Sequence, residues 1–176
     1  MQAETSRANY FPAALLADGP HPDLGEEALT YGRFIGSWSG EYRDTSVDGT
    51  LRTGPMEMHA AWVLQGRAVQ DLFIARNPDS AQDRRTYGTT IRVYDPDIDA
   101  WRITWINPPH NTRSELVGRR CGDDVVQTGY FRDRPAKWIF TDVTPESFTW
   151  RGYLLERDGV TWLLQTEFRL RRMHHG

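Results

Sequence analysis

An all-β fold, a single antiparallel up-and-down β-barrel of about ten strands behind a short helical segment, is predicted by three features of this sequence. Beyond Phe34, apolar and polar residues alternate with a period of two, the spacing that sends successive side chains to opposite faces of a strand. The alternating runs are cut at short intervals by turn formers: Asp48-Gly49, Gln65-Gly66, Asn77-Pro78-Asp79, Asp95-Pro96-Asp97, Asn107-Pro108-Pro109, Gly122-Asp123, Thr144-Pro145 and Asp158-Gly159. None of these separators is long enough to hold a crossover helix, so successive strands pair as hairpins, and a meander of this many strands loses its exposed edges by closing on itself. An open sandwich built from the same strands is the competing architecture.

Taken in order, residues 1–33 carry the only helical signals. Tyr10 to Leu16 is a short apolar piece interrupted by Pro12, and Gly19-Pro20-His21-Pro22 punctuates it. Asp23 then suits a helix N-cap, with Glu26 three residues on as its capping-box partner and Gly32 near the end. This arm either closes one end of the barrel or lies loosely against its outside. The strands follow at 34–43, 55–64, 67–76, 86–94, 101–106, 113–120, 124–131, 136–142, 147–156 and 161–171. Residues 34–171 thus make the barrel domain and 172–176 a tail.

Composition bounds the function. A chain of 176 residues buries roughly 70% of the surface it exposes when unfolded, so one core suffices without staples. Cys121 is alone, which rules out an intrachain disulfide, and Met1-Gln2-Ala3-Glu4-Thr5-Ser6-Arg7 has neither the basic start nor the apolar run of a signal peptide. A cytoplasmic protein with no membrane segment is expected. The net charge of -3, with Arg residues interspersed among acids, argues against a nucleic-acid partner. A homodimer stays open.

The stretch Phe34-Ile35-Gly36-Ser37-Trp38-Ser39-Gly40-Glu41, just after the short helix and in front of the meander, resembles the calycin superfamily of lipocalin-like barrels, and its fuller form the nitrobindin-like bacterial barrels. The resemblance covers the architecture of residues 30–171, with one sharp motif of about six residues. It implies that Trp38 lies across the closed end of the barrel against an Arg of the last strand, Arg169 or Arg171. It also implies haem binding through a His on a late strand, a position not filled here, since 147–156 and 161–171 contain no His. No cofactor is expected.

Face assignment gives the candidate interior. Trp162, Leu164, Thr166, Phe168 and Leu170 form one row of the last strand. Phe148, Trp150, Gly152 and Leu154 form a row of the strand before, and Trp138, Phe140 and Asp142 continue it. With Trp101, Ile103 and Trp105 added, one face carries wide rings that either fill a small barrel or wall a flat pocket. A hairpin at Gln65-Gly66 sets Trp62 opposite Val69, Ala60 opposite Asp71 and Met58 opposite Phe73, which leaves Asp71 a carboxylate in an apolar row. A slip of one residue exchanges that face with the one carrying His59. Arg92 shares a row with Thr90 and Tyr94, and an inward Arg92 requires a counter-ion, Asp71 or Asp142. The alternative is a solvated Arg92 on the outer face.

Other motifs carry no chemistry. Asp95-Pro96-Asp97-Ile98-Asp99 has the alternating acids of a calcium loop but Ile98 where the loop needs Gly, and the His spacings suit no zinc site, so no metal is expected. Two functions fit. One is binding of a small apolar or aromatic ligand by Trp62, Phe73, Arg92, Trp105, Trp138, Trp150 and Phe168. The other is a cofactor-independent isomerase, cyclase or lyase in the same cavity, with Asp71, Tyr94 or His59 moving a proton. A third reading is a solid barrel that works through its surface.

Overall fold

The computed structural model describes residues 10–45, 49–76 and 85–174. The turn expected at Asn77-Pro78-Asp79, Asp48 of the first turn, the first nine residues and the last two lie outside them. Ten antiparallel strands close into one barrel in the order β1-β10-β9-β8-β7-β6-β5-β4-β3-β2, each strand pairing with its neighbours in sequence. They are β1 (Gly36–Thr45), β2 (Leu51–Val63), β3 (Ala68–Arg76), β4 (Arg85–Asp95), β5 (Ala100–Asn107), β6 (Thr112–Cys121), β7 (Asp124–Phe131), β8 (Arg134–Thr141), β9 (Ser147–Leu155) and β10 (Trp162–Arg172). Closure through β1 and β10, from Trp38 against Arg172 to Asp44 against Thr166, leaves no edge.

In such a meander the turns alternate between the two ends of the barrel. The turns after β2, β4, β6 and β8 share one end, and the turns after β5, β7 and β9 lie at the other. The N-terminal arm seals the first of these ends. Helix α1 (Tyr10–Leu15) and the chain behind it bind the β2–β3 turn, through Leu64 N to Leu15 O at 3.0 Å, Ala17 N to Trp62 O at 2.9 Å and His21 N to Gly66 O at 2.9 Å. A 3₁₀ segment (Pro22–Glu27) and α2 (Ala28–Gly32) follow. The expected Asp23 cap is corrected: His21 holds that place, its Nδ1 accepting from the Asp23 N–H at 3.2 Å, because Pro22 starts the 3₁₀ segment one residue earlier. Asp23 instead receives a 2.9 Å bond from Arg67.

Leu24, Tyr31 and Phe34 enter the barrel from this end and are buried. Tyr31 meets Trp101 edge-on at 5.1 Å, and Phe34 packs on Phe140 at 4.4 Å and Phe148 at 5.1 Å. Trp38 is fully buried here, edge-on to Phe148 at 4.8 Å, and its Nε1 donates to Phe34 O at 2.8 Å. The Arg across Trp38 is neither Arg169 nor Arg171 but Arg172, whose guanidinium lies 4.1 Å from the ring centroid. Register decides this, since Trp38 pairs with Arg172 while Arg169 faces outward and bonds Glu167 at 2.9 Å. Arg172 also donates to Ile35 O at 2.9 Å and Pro145 O at 2.8 Å, tying the motif to the β8–β9 turn. Gly36 permits this: its φ is +120°, and a Cβ there would sit 2.7 Å from the Arg172 guanidinium.

The last strand departs from strict alternation. A bulge between Leu164 and Thr166 inserts Gln165, so Thr166, Phe168 and Leu170 keep the inward row while Trp162 and Leu164 do not. Trp162 instead lies under the Lys137 ammonium, 4.5 Å from its ring centroid.

Candidate functional site

The sealed end, the strand walls and the open end enclose a cavity of about 330 Å³. Five rings encircle it in sequence around the barrel. Phe73 on β3 meets Trp105 on β5 at 5.7 Å, Trp105 meets Trp138 on β8 at 6.4 Å, and Trp138 meets Trp150 on β9 at 5.5 Å. Trp150 stacks on Phe168 of β10 at 4.7 Å with 16° between the planes, and Phe168 returns to Phe73 at 4.7 Å. Residues without side chains make room for these rings. A Cβ on Gly88 would lie 2.1 Å from the Trp105 ring, and one on Gly152 would lie 2.7 Å from the Trp150 ring.

Below the belt, at the sealed end, an ion pair is buried in the wall. Asp71 and Arg92 are 3% and 5% exposed, too little for either to stand alone in an apolar interior. Arg92 Nη1 donates to Asp71 Oδ2 at 2.6 Å, and Asp71 Oδ1 accepts the Thr90 N–H at 3.1 Å. The hairpin register places them: Asp71 pairs with Ala60 on one side and Thr90 on the other, and Arg92 is the next inward residue of β4. The guanidinium also lies 4.9 Å from the Tyr31 ring centroid and 5.7 Å from that of Phe140. Burial pushes the Tyr31 phenol well above its ordinary range, with the Arg92 charge opposing and Asp71 adding to it, so Tyr31 stays neutral. Arg92 Nε and Tyr31 Oη are buried without a hydrogen-bond partner of good geometry, as are Gln127, Ser114 and the Trp101 indole N–H.

The open end is polar. Asp44 and Arg52 sit near the β1–β2 connection, His110 between β5 and β6, and Arg132 between β7 and β8. Asp44 accepts from the Thr166 hydroxyl at 2.5 Å. His110 and Arg132 lie in turns, which follow no alternation, while Asp44 and Arg52 lie where β1 and β2 run past the expected bounds 34–43 and 55–64; Arg132 sits at a φ of +49° in its turn.

The expected site residues separate by height along the barrel. Phe73, Arg92, Trp105, Trp138, Trp150, Phe168 and Asp71 line the cavity. Trp62 is buried at the sealed end beneath Gly32 and does not reach it. Tyr94, expected beside Asp71 and Arg92, keeps the inward row but lies past the cavity floor, where its hydroxyl donates to Asp99 at 2.7 Å. That bond and partial burial raise its pKa to about 12. His59 is on the outer face between Ser37 at 2.9 Å and Glu57 at 3.4 Å. Asp142 does not serve Arg92; its nearest cation is Arg151 at 3.7 Å, on the outer face. Among the described residues no three His, Cys, Asp or Glu side chains converge, and no helix is long and apolar enough to cross a membrane.

Filling the space over Gly88 tests the belt. Gly88→Val displaces the Trp105 ring at an overpacking cost of about 1–3 kcal/mol. The expected result is a folded barrel with altered near-ultraviolet circular dichroism; an unchanged aromatic spectrum contradicts the packing described.

The described chain is thus a closed ten-strand antiparallel barrel, sealed at one end and hollow behind an aromatic belt. Solved structures share this fold, and two of them are the following. The chain is 11% identical to the S-type phycobiliprotein lyase CPES from Guillardia theta, with a TM-score of 0.57 over 83% of this chain and 91% of that one. It is 13% identical to Rv2717c from M. tuberculosis, with a TM-score of 0.63 over 88% of this chain and 99% of that one. No family model and no curated protein matches the chain in sequence.

Proposed function

We propose that this protein binds a small, flat apolar or aromatic molecule inside the barrel. The observation that carries the reading is the belt of Phe73, Trp105, Trp138, Trp150 and Phe168 around a space of about 330 Å³, at the small end of the range of ligand pockets. Rings set on five different strands hold a flat molecule between faces and edges, and the polar mouth leaves one route of entry. A barrel working only through its surface has no use for such a space. Calorimetric titration with naphthalene is expected to give saturable one-to-one binding, weakened about tenfold by Phe168→Ala, which removes the ring stacked on Trp150. Absence of saturable binding contradicts the reading.

The buried ion pair at the floor favours a second reading, a cofactor-independent isomerase, cyclase or lyase, because a substrate polar group would meet Asp71 and Arg92 there. Of the three groups considered for proton transfer, only Asp71 faces the cavity, and both of its oxygens are engaged. Conversion of a bound compound to a product, lost in Asp71→Asn, is the result that favours catalysis over binding.

A further inference from the structure

The floor of the cavity specifies one end of its occupant. Arg92 lines the cavity and is 95% buried, and its guanidinium carries several N–H donors, of which Nη1 is spent on Asp71. Donors left over in so buried a group are costly to leave unmade. The neighbouring acceptor is already used: Asp71 Oδ2 takes Arg92 Nη1 and Oδ1 takes the Thr90 N–H. The ion pair therefore has donors to spare, whereas both Asp71 oxygens are spent.

Charge narrows the choice further. The guanidinium is matched by Asp71 at 2.6 Å, so the floor is neutral as a pair. An anionic group pushed down to Arg92 would face the Asp71 carboxylate at short range in a poorly screened interior. The other charged residues lining the cavity, Asp44, Arg52, His110 and Arg132, all belong to the opposite, open end.

We infer that the cavity takes an aromatic or polycyclic molecule inserted with a neutral hydrogen-bond acceptor, a ketone, quinone or ether oxygen, pointing down to Arg92. This rests on the proposed cavity-binding function and adds the chemistry and orientation of the ligand. Arg92 is the specificity-determining residue, and the aromatic belt holds the hydrocarbon body above it.

Three probes of one shape test it: 2-acetylnaphthalene with a carbonyl, 2-ethylnaphthalene without a polar group, and 2-naphthoate with a carboxylate. In calorimetric titrations of the intact protein, the ketone is expected to bind at least tenfold more tightly than the hydrocarbon, and the carboxylate more weakly than the ketone. Arg92→Met is expected to abolish the ketone's advantage over the hydrocarbon. Asp71→Asn, which frees the guanidinium charge, is expected to raise the carboxylate's affinity. If a variant does not fold, the three wild-type affinities alone decide. Equal binding of ketone and hydrocarbon, or tightest binding of the carboxylate, overturns the inference and leaves cavity binding intact. Failure of all three to bind overturns the cavity function itself.

Discussion

Replacing Arg92 with Met is expected to cost about 3–5 kcal/mol of stability, the range found when one partner of a buried ion pair is removed. The loss arises because Asp71, only 3% exposed, is left with the Thr90 N–H as its hydrogen-bond donor and no counter-charge. For a domain of this size the melting temperature should fall by on the order of 10 °C. Asp71→Leu in the same chain should recover much of the loss, since an apolar pair of similar volume does not carry the uncompensated charge. Denaturant unfolding of the two single variants and the double variant measures both quantities. A single-variant loss below about 1 kcal/mol contradicts the burial of the pair, whatever it does to ligand binding.

Trp38→Ala is expected to be as damaging, at about 3–5 kcal/mol, for reasons at the other side of the sealed end. The indole is fully buried against Phe148, bonded to Phe34 O, and covered by the Arg172 guanidinium. Its removal opens a void under three elements at once: the start of β1, the β8–β9 turn and the segment leading from α2. The cation-π contact accounts for about 0.5–2 kcal/mol of the total, so Arg172→Met, which keeps the packing of the stem, should cost visibly less than Trp38→Ala. Equal losses from the two substitutions would show that the contact with Arg172, rather than the buried indole, closes this end.

The architecture was legible because a barrel wall obeys a simple rule. Every strand has one face inward, so the alternation from β1 to β10 and the turn formers between them reveal strand number, pairing and register, including Ala60 opposite Asp71. Asp71 and Arg92 were legible for the same reason: a charged residue in an apolar row must find a partner on the same face. Height along the barrel was not legible. Alternation places Tyr94 in the row of Arg92 but says nothing of where the floor lies, and that is fixed by Tyr31 and Phe34 entering from the N-terminal segment. The bulge at Gln165, which turns Trp162 and Leu164 away from the interior, leaves no mark in a row that reads as perfectly alternating. His110 and Arg132 reach the mouth from turns, where no periodicity applies. Arg172 was not legible either, because it lies one residue past the expected end of the last strand and choosing among the Arg residues there requires the register of closure with β1.

The seven tryptophans give the most direct test of an occupied, belt-lined cavity. Their indole N–H groups are separate reporters in a nitrogen-proton correlation spectrum, and the fold divides them into two sets. Trp105, Trp138 and Trp150 line the cavity, while Trp38, Trp62 and Trp101 lie at the sealed end and Trp162 is outside. Adding naphthalene in steps is expected to shift the first three signals together along one saturable curve and to leave the other four nearly in place. Shifts confined to Trp162, or no shift at all, would contradict a ligand-binding barrel interior.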